Sequence, residues 1–123
     1  MIIRRVVPDI RSQRFDESQD FYVGLLGLKV AMDLGFVMTF ASPTNPTAQI
    51  TIIRDDGTSR ILPQVTIEVA DVDAVHAEAA RRGVEIVYPL TDERWGVRRF
   101  FVRDPNDVVI NIMSHQASEA HQV

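Results

Sequence analysis

The side chains able to do chemistry are few and lie along strand-like segments instead of in clusters. There is no cysteine, which excludes disulfides, thiolate metal sites and a cysteine nucleophile. The histidines are His76, His115 and His121, and they show no ligand spacing. His76 lies on a helix, one position from its inner stripe, and the other two fall at or beyond the end of the last strand. No Ser-His-Asp arrangement and no glycine-rich phosphate loop accompanies them.

Glu68 is the carboxylate that stands out. Residues 64–69 alternate, with Val65, Ile67 and Val69 on one face and Gln64, Thr66 and Glu68 on the other. A buried Glu68 would be a base of raised pKa, whereas one beside an arginine would be an ion-pair partner or hold a cationic ligand group. Arg98 and Arg99 are adjacent on a strand, so one faces inward and the other outward. The inward one suits carboxylate or planar-ring recognition, or a salt bridge. Trp95 opens that strand and offers either a stacking surface or core packing.

The elements that would position these groups read as follows. Residues 2–8 form a strand ended by Pro8, and residues 9–14 a polar loop. Asp16 with Gln19 makes a capping box, behind which Phe21, Tyr22, Leu25 and Leu26 share a helical face, and Gly27 follows the helix. Strands are expected at 28–32, 36–41 and 48–53, separated by turn residues. The linker-like stretch 54–60 follows. The order then begins again: a strand at 64–69, a helix capped by Asp71 with Val72, Val75 and Ala79 inward and Gly83 at its end, and a strand at 84–88. A final hairpin follows, from Trp95 to Met113, turning at 104–107.

This is an internal repeat of two β-α-β-β-β modules, about 1–55 and 61–115, with a polar tail at 116–123 expected to fray. Neither half has the surface to bury its own core comfortably, so one domain over 1–123 is expected. The formal charge of −4 and pI near 5.3 argue against a nucleic-acid partner, which needs clustered Lys and Arg. No apolar run approaches the roughly 18 residues of a membrane span. The apolar residues at the N-terminus precede Arg4 and Arg5, the reverse of a signal peptide, so a cytoplasmic address is expected.

The repeat carries local signatures: Phe21, Tyr22, Val23 and Gly24 to Leu28; Val69, Ala70, Asp71, Val72 and Asp73; and Trp95, Gly96 and Arg98 running into Asp104, Pro105 and Asn106. Together and in order they resemble the vicinal oxygen chelate superfamily, which includes glyoxalases, bleomycin-resistance proteins and extradiol dioxygenases. The last signature is most similar to the bleomycin-resistance branch, with Asp107 and Val108 where that family usually has Gly-Asn. The resemblance implies an α+β fold in which two βαβββ modules form curved mixed sheets around a shared cleft, helices outside.

It also implies where the family's enzymes would hold a divalent metal: near Val7 (or Arg5, with the loop length shifting the register), Thr51, Gln64 and Asn111. These are an aliphatic side chain, a hydroxyl and two amides. A divalent site needs about three stronger donors, so no metal and no cofactor is expected. The implied function is sequestration of a small apolar or aromatic compound, an antibiotic among the candidates, by a homodimer with clefts at its interface. The competing implication is a metal-dependent lyase, isomerase or dioxygenase. The cleft is expected to draw on Phe36, Met38, Phe40, Gln49, Thr51, Gln64, Thr66, Glu68, Trp95, Arg98, Arg99, Asn111 and Met113. Which face of strand 36–41 lines it, Phe36, Met38 and Phe40 or Val37, Thr39 and Ala41, stays open.

Overall fold

The computed structural model describes residues 1–55 and 57–116; His121 and nearly all of the tail lie outside them. Eight strands form one mixed sheet in the order β2-β3-β4-β1-β5-β8-β7-β6. The first module holds β1 (Ile3–Arg11), a helix α1 (Phe15–Gln19) that widens into a π-turn over Asp20–Leu25, β2 (Lys29–Asp33), β3 (Val37–Ala41) and β4 (Gln49–Ile53). The second holds β5 (Val65–Val69), α2 (Val72–Arg81), β6 (Ile86–Asp92), β7 (Val97–Arg103) and β8 (Val109–His115). Within each module the first and last strands run parallel, and β1 and β5 join the modules antiparallel.

β1 is longer than expected. It runs through Pro8 and takes in residues 9–11, which had read as loop. Residues 3–8 pair with β5 and residues 9–11 with β4, so Pro8 stands where the strand changes partner and its missing N–H costs little. The consequence is that Asp9 follows Arg5 and Val7 onto the inner face of the sheet.

The helices cover the outer face. Val72 and Val75 of α2 pack on Val69, Phe100 and Val102, and Phe15, Tyr22 and Val23 pack on Met38, Phe40 and Ile52. Asp71 caps α2 by accepting from the Ala74 amide at 3.1 Å, and Gly83 follows with φ +70°. The first helix departs from expectation. It starts at Phe15, so Asp16 sits inside the first turn, and no side chain caps it. The i→i+5 bond from Leu26 N–H to Phe21 C=O widens the turn and splits the anticipated apolar face. Tyr22 goes inward, stacked on Phe40 at 5.1 Å, while Phe21, Leu25 and Leu26 are left exposed.

The turn before β8 places Asp107 at φ 64°, the one non-glycine residue there with positive φ among those described. The Asp104 carboxylate accepts the amides of Asn106 and Val108, which fixes the turn.

Candidate functional site

The curvature of the sheet is visible in one contact. Phe36 enters β3 and Trp95 enters β7, five strand spacings apart, or about 24 Å if the sheet were flat. Their rings meet edge to face at 5.1 Å. The inner face therefore closes on itself around a partly open cavity of about 110 Å³, with those two rings among its lining.

Alternation decides what lines it. On β3 the inner residues are Val37 and Thr39, and Met38 and Phe40 lie beneath the first helix as core. On β7 the inner residues are Val97 and Arg99. Arg98 faces the other way, where Asp73 of α2 and Asp92 bind it at 2.9 Å each. Gln64 is exposed ahead of β5, its amide oxygen accepting from Val109 N–H, and the inner position on β5 is Thr66. So Met38, Phe40, Gln64 and Arg98, all expected in the cleft, are outside it. Phe36, Thr51, Thr66, Trp95, Arg99, Asn111 and Met113 do line it, joined by Arg5, Val7, Thr39 and Asp9.

Gln49 and Glu68 reach the cavity through Arg5. The Arg5 guanidinium donates to Glu68 at 2.5 Å and to the Gln49 side-chain oxygen. Glu68 also takes His115 Nδ1 at 3.0 Å. Burial alone would raise the Glu68 pKa, but the hydrogen bonds from His115 and Arg5 outweigh it and hold the carboxyl below its ordinary value. Glu68 is an ion-pair partner and not a base of raised pKa. Arg99 is buried and bound to Glu93 at 2.6 Å, and Tyr88 OH donates to the same carboxylate. The planes of Trp95, Tyr88 and Phe101 surround the Arg99 guanidinium at 5.0, 5.3 and 4.8 Å.

The floor is a row of five polar side chains on five neighbouring strands: Thr39, Thr51, Asp9, Thr66 and Asn111. Thr39 and Thr51 share a hydrogen bond of 2.8 Å, and Thr51 is the register partner of Asp9. The Thr66 hydroxyl donates to Asp9 Oδ2 at 2.6 Å and accepts from Asn111 Nδ2 at 3.1 Å. Asn111 Oδ1 is buried without any partner, the one such side-chain atom among the described residues. Desolvation raises the Asp9 pKa from 3.8 to about 7, against the Thr66 hydrogen bond and the charges of Arg5 and Arg99. Asp9 is thus a carboxyl that titrates near neutrality inside the cavity.

Sequence reasoning missed Asp9 and left Thr39 open, as part of one of two faces of its strand. The signal for Asp9 was its parity with Arg5 and Val7, hidden because Pro8 read as a strand end.

The residues at the cleft do not fit a divalent metal. The inner positions of the four first and last strands carry Val7, Thr51, Thr66 and Asn111, with Asp9 the one carboxylate among the lining residues. No group of three or more His, Cys, Asp or Glu comes together among the described residues.

The sequence matches the Glyoxalase/Bleomycin resistance protein/Dioxygenase superfamily over residues 3–112. The chain belongs to that superfamily. Solved structures agree at the level of fold. A superfamily member from Vibrio splendidus is 16% identical with a TM-score of 0.67, covering 91% of this chain and 98% of that one. An NAD-dependent benzaldehyde dehydrogenase from Legionella pneumophila is 16% identical with a TM-score of 0.71, over 90% and 99% of the two chains. A methylmalonyl-CoA epimerase is 19% identical with a TM-score of 0.65, over 95% and 97%. No curated relative matches. Proteins with such different names share this scaffold, so the fold carries no particular chemistry with it. No helix among the described residues is long and apolar enough to cross a membrane.

Proposed function

We propose that this superfamily member is a metal-free small-molecule binding protein, similar in role to the bleomycin-resistance branch. The observation that carries this reading is the cleft itself. Apolar walls of Val37, Ile53, Val97 and Met113 and an aromatic pair surround a short row of polar groups that lacks a metal-binding donor set. Small-molecule sites are built this way, with few polar groups convergent on an apolar pocket. The arginines inside are held by Glu68 and Glu93, so they act first as walls of fixed shape.

At about 110 Å³ the cavity is smaller than the roughly 300 Å³ at which drug-sized sites begin. One ring fits within, and the remainder of a larger ligand would extend outside the cavity. The protein would act as a homodimer. The first module leaves Phe21, Leu25, Leu26 and Leu34 exposed, and such apolar surface favours a second copy.

The test is a thermal-shift screen of the purified protein against aromatic compounds, antibiotics and divalent ions, with light scattering to count subunits. A binder at about 100 times its Kd adds roughly 2.7 kcal/mol to the native state. Stabilisation by an organic compound at one site per chain, unchanged by chelator, is expected. Stabilisation by a divalent ion at one per chain, lost on chelation, would replace this reading with a metal enzyme.

A further inference from the structure

We infer that Asp9 and Asn111 recognise a planar, single-ring nitrogen base that carries N–H donors. The inference rests on the cleft being a binding site and names the chemistry of its occupant.

Two oxygens on the cavity floor look for donors. Asp9 Oδ2 takes the Thr66 hydroxyl, and Oδ1 has no partner among the described residues. Thr66 has spent its proton on Asp9, so it accepts from Asn111 Nδ2, and this turns the Asn111 carbonyl oxygen away, buried and unpartnered. An orphaned acceptor beside a half-satisfied carboxylate is completed by a ligand with at least two N–H groups on one edge.

The charges around Asp9 favour nitrogen. Arg5 on β1 and Arg99 on β7 face it, but Glu68 and Glu93 already neutralise them, and His115 at the rim is engaged by Glu68. Asp9 is the carboxyl in the cavity without a counter-charge of its own. A hydroxyl ligand brings no charge to Asp9, which then either keeps its proton and offers one acceptor fewer or stands ionised and uncompensated in an apolar site. A nitrogen base shares a single proton with Asp9, and the cavity stays neutral on whichever side the proton rests. Its midpoint near neutral pH makes Asp9 ready to give that proton up. The rings of Phe36 and Trp95 and the side chains of Val37 and Val97 accept the flat ring.

The probes are benzamidine, which is planar and cationic with N–H donors, and its near-isosteres benzamide and benzoate, measured by calorimetry. Benzamidine should bind at least tenfold tighter than either. Because it binds the ionised carboxyl, its affinity should rise about tenfold per pH unit up to about pH 7 and be level above, with one proton released on binding at lower pH. Asp9→Asn should abolish the pH dependence and weaken binding at least tenfold. Thr66→Val should weaken binding, because it also frees the Asn111 amide, and should move the break in the pH profile upward, since it removes the hydrogen bond that favours the carboxylate. This variant carries the test if Asp9→Asn does not fold.

Equal binding of benzoate or benzamide, or pH-independent binding of benzamidine, overturns the inference. If none of the three binds but the broader screen finds another occupant, the inference fails and the binding reading stands. If nothing binds in either experiment, both fail.

Discussion

The two modules share one order of elements but are stabilised unequally. The second has a helix of ten residues with a side-chain cap, five buried residues in its outer core and a buried ion pair behind its inner face. The first has a five-residue helix that slides into a π-turn, three buried residues in its core, and an edge strand, β2, exposed along its whole length. A repeat therefore sets topology without setting local stability. The second module reads as the rigid half that holds the cleft's shape, and the first as the half that gives, with apolar surface to spare for a partner.

The sharpest way to break this contrast is through the two ion pairs at the cleft. Glu93 and Arg99 are almost wholly buried (5% and 4% of side-chain surface exposed), while Glu68 and Arg5 keep 13% and 22%. Glu93→Ala removes the buried carboxylate partner of Arg99 and the acceptor of Tyr88 OH, which should cost about 3–5 kcal/mol in urea denaturation. Glu68→Ala should cost less, about 1–2 kcal/mol, because water can reach Arg5. Equal losses would show that the seam between the modules is as buried in solution as the inner face of the second module.

Hydrogen exchange addresses the same contrast without mutation. Amides of β7 and β8 should exchange only on global unfolding, and those of β2 and the π-turn through local opening at least tenfold faster. Tyr22→Ala removes the ring stacked on Phe40 and should cost about 2–3 kcal/mol, speeding exchange in β3 and leaving β7 protected. Uniform acceleration across all eight strands would mean that the modules open as one unit.

How much of this was legible in the sequence differs between fold and site. The repeat, the Asp71 cap, Gly27 and Gly83, and the alternation of 64–69 are local patterns, and each has the expected structure. The cleft is built from long-range neighbours: Asp9 meets Thr66 across 57 residues, and Thr66 meets Asn111 across 45. Strand β3 is buried on both faces, so its apolar pattern could not say whether Met38 or Thr39 faces the cleft. The error at Pro8 had a local cause too. A proline usually ends a ladder, and only knowledge that β1 changes partner there would have kept Asp9 on a strand.

The seam between the modules holds two carboxyls that should respond to pH in opposite senses. Folding raises the Asp9 pKa above its unfolded value of 3.8, so the folded state keeps a proton that the unfolded chain has lost. Stability from this group declines as pH rises from about 4 to about 7 and then levels off. Glu68 has the lowered pKa, so its contribution is present above 4.5 and disappears as pH falls through the folded value. Asp9→Asn should therefore gain stability relative to the parent between about pH 4 and pH 8, and Glu68→Gln should lose stability at about pH 7, with the loss vanishing as pH falls through the lowered Glu68 value. Denaturant midpoints across that range check both, and parallel curves would mean that neither carboxyl is perturbed by folding.

The smallest effects lie at the helix starts, where the modules differ by one side chain. Asp71 accepts the Ala74 amide, and Asp71→Ala should cost about 1 kcal/mol, the usual worth of a cap. At the matching place in the first module Arg14 caps nothing, and its positive charge opposes the helix dipole. Arg14→Asp supplies both the acceptor and the favourable charge, and should raise stability by about 0.5–1 kcal/mol while lowering exchange in the first helix alone. The gain is bounded because five residues end in a π-turn, leaving little regular helix for a cap to support. A gain as large as the loss at Asp71 would show that the first helix is weak for want of a cap, and a gain near zero that the π-turn sets its limit.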